Sequence, residues 1–247
     1  MTKYYVYPYR YECDNAIMLK NRLKGQRIKL VDSNYEQNQG DVIINWGNSK
    51  CPYSGPAVIN QPFAVYKAVN KSITFDMLRN DGLRTVHITR DKKVALEWYG
   101  KGESVVGRKT LKGNNGDGIF FLEDNLDAEA KLYTKYFGNM EEYRVNVYRD
   151  KLISIRAKKQ TKGLPEHKIK SGLNGYTFVP VQLSQYDIDS LLLLARSAIE
   201  ILGLDFGGID LLRNSHGDSF ILEVNTAPEL QGAAMDTLAN YIKQDYS

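Results

Sequence analysis

Histidine and cysteine are scarce, with three and two in 247 residues. His87, His167 and His216 are scattered along the chain, which argues against a histidine-built metal site. Cys13 and Cys51 form no CxxC pair and no Cys/His cluster. That removes a zinc module and a disulfide framework and leaves reduced thiols in a cytoplasmic protein as the expectation. No run approaches the ~18 apolar residues of a membrane helix, and the polar, Tyr-rich first residues are no signal peptide. Charge of one sign is lacking too. A net +4, from 33 basic and 29 acidic residues, is scattered and too small to point to nucleic acid or a membrane surface as partner. No Ser-His-Asp or Cys-His set offers a protein nucleophile, and no internal repeat or low-complexity segment stands out.

What is present is an ordinary globular composition, 43% hydrophobic and 25% charged, in a chain long enough for one large domain or two to three small lobes. The first stretch reads strand (3–7), helix (14–24, closed by Gly25), then short buried strands at 27–31 and 41–45. That order predicts a small, largely parallel α/β lobe. It ends in the loop INWGNSKCPYSGP (44–56), at the strand edge where open α/β sheets collect ligands. Residues 63–80 read as helix broken near Asn70, 85–89 as strand and 91–99 as helix. Residues 105–124 read as strand, glycine loop, strand, with a mobile tip. Strands follow at 131–137, 143–148 and 152–158, then a polar, Gly-rich loop at 160–175. The clearest helix is 187–202, with Asp187 as its N-cap and Gly203 just past its end. Strands 206–212 and 219–225 bracket a turn at Asn214–Asp218, and a helix covers roughly 232–244.

The sharpest chemistry is on the last two strands. Side chains alternate faces along a strand, so Glu223 and Asn225 point one way while Val224 faces the core. The turn brings Asp210 near Glu223. Two carboxylates and an amide oxygen at one spot suit Mg²⁺, which takes few protein oxygens and completes its shell with water and phosphate. The competing reading is a plain polar face of an amphipathic hairpin. A second feature is KGNNGDG, Lys112 to Gly118, whose glycines allow backbone N–H groups to turn toward an anion. It is not a Walker A loop, since no GK[ST] follows. Lys109 leads into the loop and Lys71 lies on the preceding helix, as point charges suited to phosphate. Alone, the loop is an ordinary turn and each lysine a solvated charge; the carboxylate set gives them weight.

Asp210, Glu223 and Asn225 in this spacing resemble the metal triad of ATP-grasp ligases. LEVNTAPELQG resembles the EVNSSPGLEG ending of RimK-type glutamate ligases and the NTxPG of D-alanine–D-alanine ligases. VGRKTLKGNNGDGI resembles the VVKxxxGxxGxGV phosphate loop of that superfamily, and EEYRVNVYRDKLISIRAKK and INWGNS are similar to stretches of small RimK-like proteins of bacteriophages. The resemblance spans residues 65–235 and extends loosely to the N-terminal lobe. It implies an ATP-grasp fold of α/β class, with a pre-ATP-grasp lobe at 1–62, a lid subdomain at 63–132 and a C-terminal subdomain at 133–247. It implies that Lys71 and Lys109 hold ATP phosphates under a loop contributing Gly113, Asn114, Asn115, Gly116 and Gly118. Lys135, Tyr136 and Phe137 would form the adenine hinge, Glu142 would meet the ribose, and Asp210, Glu223 and Asn225 would bind Mg²⁺, with Mn²⁺ as an alternative. Arg144, Arg156 and Lys158, on strand positions of matching parity, would face phosphate or an acylphosphate.

Three departures stand out. Lys135 replaces a common hinge Glu, Glu229 replaces the Gly of SPG or TPG, and Gly208 stands where D-alanine ligases carry Arg; the last places the chain nearer the RimK branch and leaves the oxyanion-stabilising cation unassigned. The implied activity is Mg·ATP-dependent joining of a carboxylate to an amine through an acylphosphate, in a monomer or homodimer, with an amino acid or peptide as substrate. A small-molecule kinase on the same scaffold and a non-catalytic Mg·ATP-binding module are the alternatives.

Overall fold

A computed structural model describes residues 2–31, 33–111 and 118–246. Strands β1 (Lys3–Pro8), β2 (Gln26–Arg27), β3 (Asp41–Trp46) and β4 (Val58–Ile59) form a parallel sheet in the order β2-β1-β3-β4. The predicted parallel lobe is therefore present. All six residues of β3 are buried, as expected of a strand covered on both faces. The strand expected at 27–31 shrinks to β2, with one more backbone bond from Ile28 N–H to Val6 O at 3.0 Å. Helix α1 (Asp14–Leu23) ends on Lys24, which takes the left-handed conformation (φ 54°) that the sequence reading gave to Gly25. Gly25 serves a different need: a Cβ there would lie 2.3 Å from the Tyr4 carbonyl oxygen, so only glycine lets the chain pass β1.

Helices α2 (Pro62–Val69) and α3 (Lys71–Asn80) break at Asn70, as predicted. The Asn70 side chain accepts from Ser72 and Ile73 N–H at 3.1 and 3.4 Å and so starts α3. The next sheet is antiparallel: β5 (Ile88–Thr89), β6 (Val105–Arg108), β7 (Ile119–Phe121) and β8 (Leu132–Lys135), in the order β5-β8-β6-β7, flanked by α4 (Lys92–Gly100). The β6–β7 pair is the expected hairpin; the glycine segment 112–117 between them lies outside the described residues. β8 runs across the lobe boundary expected at 132/133 and hydrogen-bonds into this smaller sheet.

The largest sheet, also antiparallel, has the order β11-β10-β9-β12-β13, from β9 (Glu141–Tyr148), β10 (Lys151–Gln160), β11 (Tyr176–Pro180), β12 (Phe206–Arg213) and β13 (Ser219–Asn225). Helix α5 (Gln185–Leu202) lays Leu191, Ala195, Ala198, Ile199 and Leu202 on one face, against Val145, Val147, Ile209, Leu211 and Ile221. Its N-cap is Ser184, three residues before the expected Asp187. Ser184 accepts from the Asp187 N–H at 3.1 Å and donates its hydroxyl to the Asp187 carboxylate at 2.6 Å, so Asp187 completes the cap from inside the helix. Gly203 ends α5 at φ 74°, as read. The last helix, α6 (Ala233–Tyr246), packs on α1 in the N-terminal core. With α2, α3 and α5 on one face of the large sheet, the other face is left for chemistry.

Candidate active site

Pairing register alone assembles the polar face. Asp210 on β12 stands opposite Arg144 on β9 and Glu223 on β13, with a bulge after Asp210 absorbing one residue of β13. Arg144 grips Asp210 with two parallel bonds, Nε to Oδ1 at 2.6 Å and Nη2 to Oδ2 at 2.7 Å. The Asn225 amide adds a bond to Oδ2 at 3.3 Å. Lys71 reaches across from the start of α3 and donates to Glu223 Oε1 at 2.9 Å. Lys158 on β10 pairs with Glu142 on β9. Phe178 of β11 floors the set: the Arg144 guanidinium lies 4.1 Å and the Lys158 ammonium 5.0 Å from its ring centre. Eight of the sequence-predicted residues therefore act as neighbours or near-neighbours in two groups, the five around Asp210 and Glu223 and the Glu142–Lys158 pair beside them, with Arg156 opposite Arg144 in register.

Burial sets the electrostatics. The Asp210 side chain is 3% exposed, and its bidentate partner compensates the loss of water. For Arg144, burial opposes the charge, but Asp210 outweighs it and the guanidinium stays charged far above any working pH. Burial pushes the Glu142 carboxyl above the usual range, against Lys158, and the negative charge of Asp210 adds to the rise. Lys158 bonds Glu142 through Oε1.

The face forms the floor of a cleft of about 480 Å³, walled by β6–β8, the 168–172 segment and residues 227–229. Alternation along β6 sorts its cations. Val106, Arg108 and Thr110 line the cleft, while Gly107 and Lys109 lie on the other side. Lys109 is exposed, with its ammonium 5.7 Å from the Phe120 ring. Lys109, the residue expected at the phosphates, is not among the cleft-lining residues, whereas Arg108, not singled out from the sequence, is. Burial lowers the Arg108 value, and the charge of Glu223 opposes that shift. The signal was available: Arg108 shares its strand parity with buried Val106. Arg156 likewise shares the face but is not among the cleft-lining residues.

At the hinge, Tyr136 and Phe137 line the cleft as expected. Lys135 N–H donates to His87 O at 3.0 Å and Tyr136 N–H to Ser104 O at 2.8 Å, so these two amides are used within the protein. The Lys135 ammonium pairs with Glu103 at 2.8 Å. Buried Thr134, beside them, has a hydroxyl oxygen with no partner. Gly118 adopts φ 68° and its carbonyl accepts from Lys109 N–H at 2.9 Å; Gly113, Asn114, Asn115 and Gly116 lie outside the described residues. Tyr9, Arg10, Lys168 and Lys170 complete the rim, none of them singled out by the sequence.

Among the described residues no three His, Cys, Asp or Glu side chains cluster as a metal site. The set here is two carboxylates and an amide, Asp210, Glu223 and Asn225, which fits an ion that uses one or two carboxylates and fills its shell from phosphate and water. No described helix is long and apolar enough to cross a membrane.

No family model matches the chain. Its sequence is similar to D-alanine–D-alanine ligase B of Clostridium perfringens, 23% identical over 198 residues that cover 74% of this chain and 64% of that protein. It is also similar to a probable alpha-L-glutamate ligase 1 of Shewanella denitrificans, 27% identical over 241 residues, covering 84% of this chain and 78% of the relative. The chain thus spans just under two thirds of the D-alanine ligase that it matches. Among solved structures, the ATP-grasp ligase PsnB complexed with a phosphomimetic variant of minimal precursor, Mg and ADP aligns with a TM-score of 0.73 at 13% identity, over 100% of this chain and 99% of that one. The D-alanine–D-alanine ligase of Bacillus anthracis gives 0.67 at 12% identity, over 100% and 99%.

Proposed function

From the premise that this chain carries the ATP-grasp fold and is a sequence relative of ligases built on it, we propose that it is an ADP-forming carboxylate–amine ligase. The observation that carries the reading is the convergence of Asp210, Glu223 and Asn225 with Lys71, Arg108 and Arg144 in one cleft. Bound between the carboxylates and the phosphates, Mg²⁺ would neutralise charge on the transferring group. Lys71, Arg108 and Arg144 would hold ATP with its terminal phosphorus exposed to a substrate carboxylate. The carboxylate oxygen bonds to that phosphorus as the bond to ADP breaks. An amine then attacks the acyl carbon of the resulting acylphosphate and phosphate leaves. The protein contributes positions and fixed cations and no nucleophile.

An amino acid as one partner, and an amino acid, peptide or protein as the other, is supported by the relatives named for D-alanine and L-glutamate ligation and by the structural neighbour complexed with a precursor. The test is ADP release against panels of carboxylates and amines. Release that needs both, and that Asp210→Asn and Glu223→Gln each abolish without unfolding the protein, is the expected result. Release with a carboxylate alone, indifferent to amine, would make the protein a kinase. Full activity in either variant would remove the triad from the mechanism.

A further inference from the structure

We propose that Lys71 and Arg144 are exchangeable counter-ions: each holds a carboxylate of the metal set until a divalent cation takes it, and each is then released to the nucleotide phosphates. The inference rests on the ligase reading for the identity of the ligands.

The cations occupy the atoms a metal would need. Arg144 uses both oxygens of Asp210, and the Asn225 amide takes a further site on Oδ2, so most of the carboxylate's lone pairs are engaged. Glu223 Oε1 accepts from Lys71. A metal ion that takes Asp210 through these lone pairs displaces the Arg144 donors, and one that takes Glu223 through both oxygens competes with Lys71 for Oε1.

Both side chains are placed to leave. Lys71 is the first residue of α3, where the positive end of the helix dipole opposes a cation. Glu223 is what keeps it there, and losing Glu223 leaves the ammonium repelled by its own helix. Its backbone N–H contacts the Leu111 carbonyl, three residues beyond β6, at 3.4 Å, and Lys71 and Arg108 line the same cleft. Arg144 rests its face on Phe178, a support that needs no particular direction of the N–H edge.

Charge counting gives the same coupling. At the metal set itself, Lys71 and Arg144 against Asp210 and Glu223 leave no net charge, two cations less two anions. A divalent ion alone would raise this to about +2, and ATP alone, with about four negative charges, would lower it to about −4; together they leave about −2. Metal and nucleotide each relieve the charge that the other creates.

The test uses the intact protein with Mn²⁺ alone and, separately, with ADP at saturating Mn²⁺, at pH 8. Wild type is compared with Lys71→Met, Arg144→Gln and, as a control, Lys158→Met, whose partner Glu142 is outside the metal set. Mn²⁺ binding, read by electron paramagnetic resonance, should tighten about tenfold in Lys71→Met and Arg144→Gln, the worth of one charge-assisted hydrogen bond. ADP binding at saturating Mn²⁺, where both cations are released to the phosphates, should weaken by a similar factor in the same two. An equal Mn²⁺ gain in Lys158→Met would reduce the effect to general charge and overturn the exchange. So would unchanged or weaker Mn²⁺ binding in the first two variants, or tighter Mn²⁺ binding with ADP unaffected, which would make the cations plugs. Lys71 makes a single ion pair, with Glu223, where Arg144 makes a bidentate one with the buried Asp210, so the Lys71 variant reports even where Arg144→Gln fails to fold. If wild type binds no Mn²⁺ with or without ADP, the metal assignment and the ligase reading fall as well; if it binds and the variants match it, only the exchange falls.

Discussion

Arg108 ends β6 and lines the cleft, while Lys109, next in sequence, points away from it, so paired substitutions separate the proposed phosphate contact from a surface charge. Arg108→Met should weaken ATP binding about tenfold to a hundredfold, the range of a hydrogen bond to a charged group, and leave adenosine binding unchanged. Lys109→Met should change either ligand less than about twofold, as a solvated charge does. Calorimetric titration decides, and the reverse order would return the phosphate contact to Lys109. The example shows what residue-level reading captured. Asp210, Glu223 and Asn225 were legible because alternation and a single turn fix their meeting. The bidentate Arg144–Asp210 pair was not, because it depends on which strands are neighbours in the sheet, and β9 and β12 are separated by more than fifty residues of sequence. Cys51 offers a pH test. Burial pushes its thiol up from an ordinary 9.0 to about 11. A group with a raised folded-state value stabilises fully below the unfolded value and loses that contribution as pH rises through the folded one. Stability should therefore fall between about pH 9 and 11, and the wild-type minus Cys51→Ala difference in urea midpoint at pH 8 and at pH 10.5 isolates this residue from the tyrosines that titrate nearby. A difference independent of pH would mean that Cys51 contributes only by packing.

At the scale of elements, long periodic segments were readable and short ones were not. Helices α1 to α6 follow from apolar spacing and caps, and the hairpins from their turn residues. β4 has two residues and β11 is an edge strand directly after a polar loop, so neither carries enough pattern to be seen without its neighbours. The closing strand of the small sheet, β8, crosses a boundary drawn from sequence because hydrogen bonding, not composition, assigns it. Asn70 is the clearest case of local chemistry deciding structure. It ends α2, caps α3 and thereby sets the direction of the helix that delivers Lys71 to Glu223. Asn70→Ala should destabilise the protein by about 1 kcal/mol, the usual worth of an N-cap, and Asn70→Asp should restore most of it. Thermal unfolding measures the first effect. Because the cap orients Lys71, Asn70→Ala should also weaken nucleotide binding, whereas an N-cap elsewhere, Ser184→Ala, should cost similar stability and leave nucleotide binding unchanged. Equal binding in both variants would detach the cap from the site.

Across the whole molecule, the parallel lobe does not close its own core. The cluster of Val6, Leu19, Ile44 and Trp46 is completed by Phe206 of β12, Tyr148 of β9 and Met235, Leu238 and Ile242 of α6. Trp46 stacks on Phe206 at 5.1 Å, and Asn60 ties β4 to β12 through bonds to Asp205 and Phe206. Sequence reading drew this lobe as residues 1–62, since nothing local marks a helix more than 170 residues away as part of its core. Burying Met235, Leu238 and Ile242 is worth about 4.5–9 kcal/mol at about 1.5–3 kcal/mol per side chain, close to the entire net stability of a typical domain. Ending the chain after Gln231 should therefore unfold the N-terminal lobe and carry β12, and with it Asp210, out of register. Urea unfolding of the intact protein in a Trp98→Phe background, where Trp46 is the remaining tryptophan, should give one transition by fluorescence that coincides with the loss of helix by circular dichroism. The shortened chain should show no cooperative Trp46 transition and no nucleotide binding. Were the lobe self-sufficient, the shortened chain would keep the Trp46 transition at its original midpoint, and α6 would be an ornament on a lobe that folds without it.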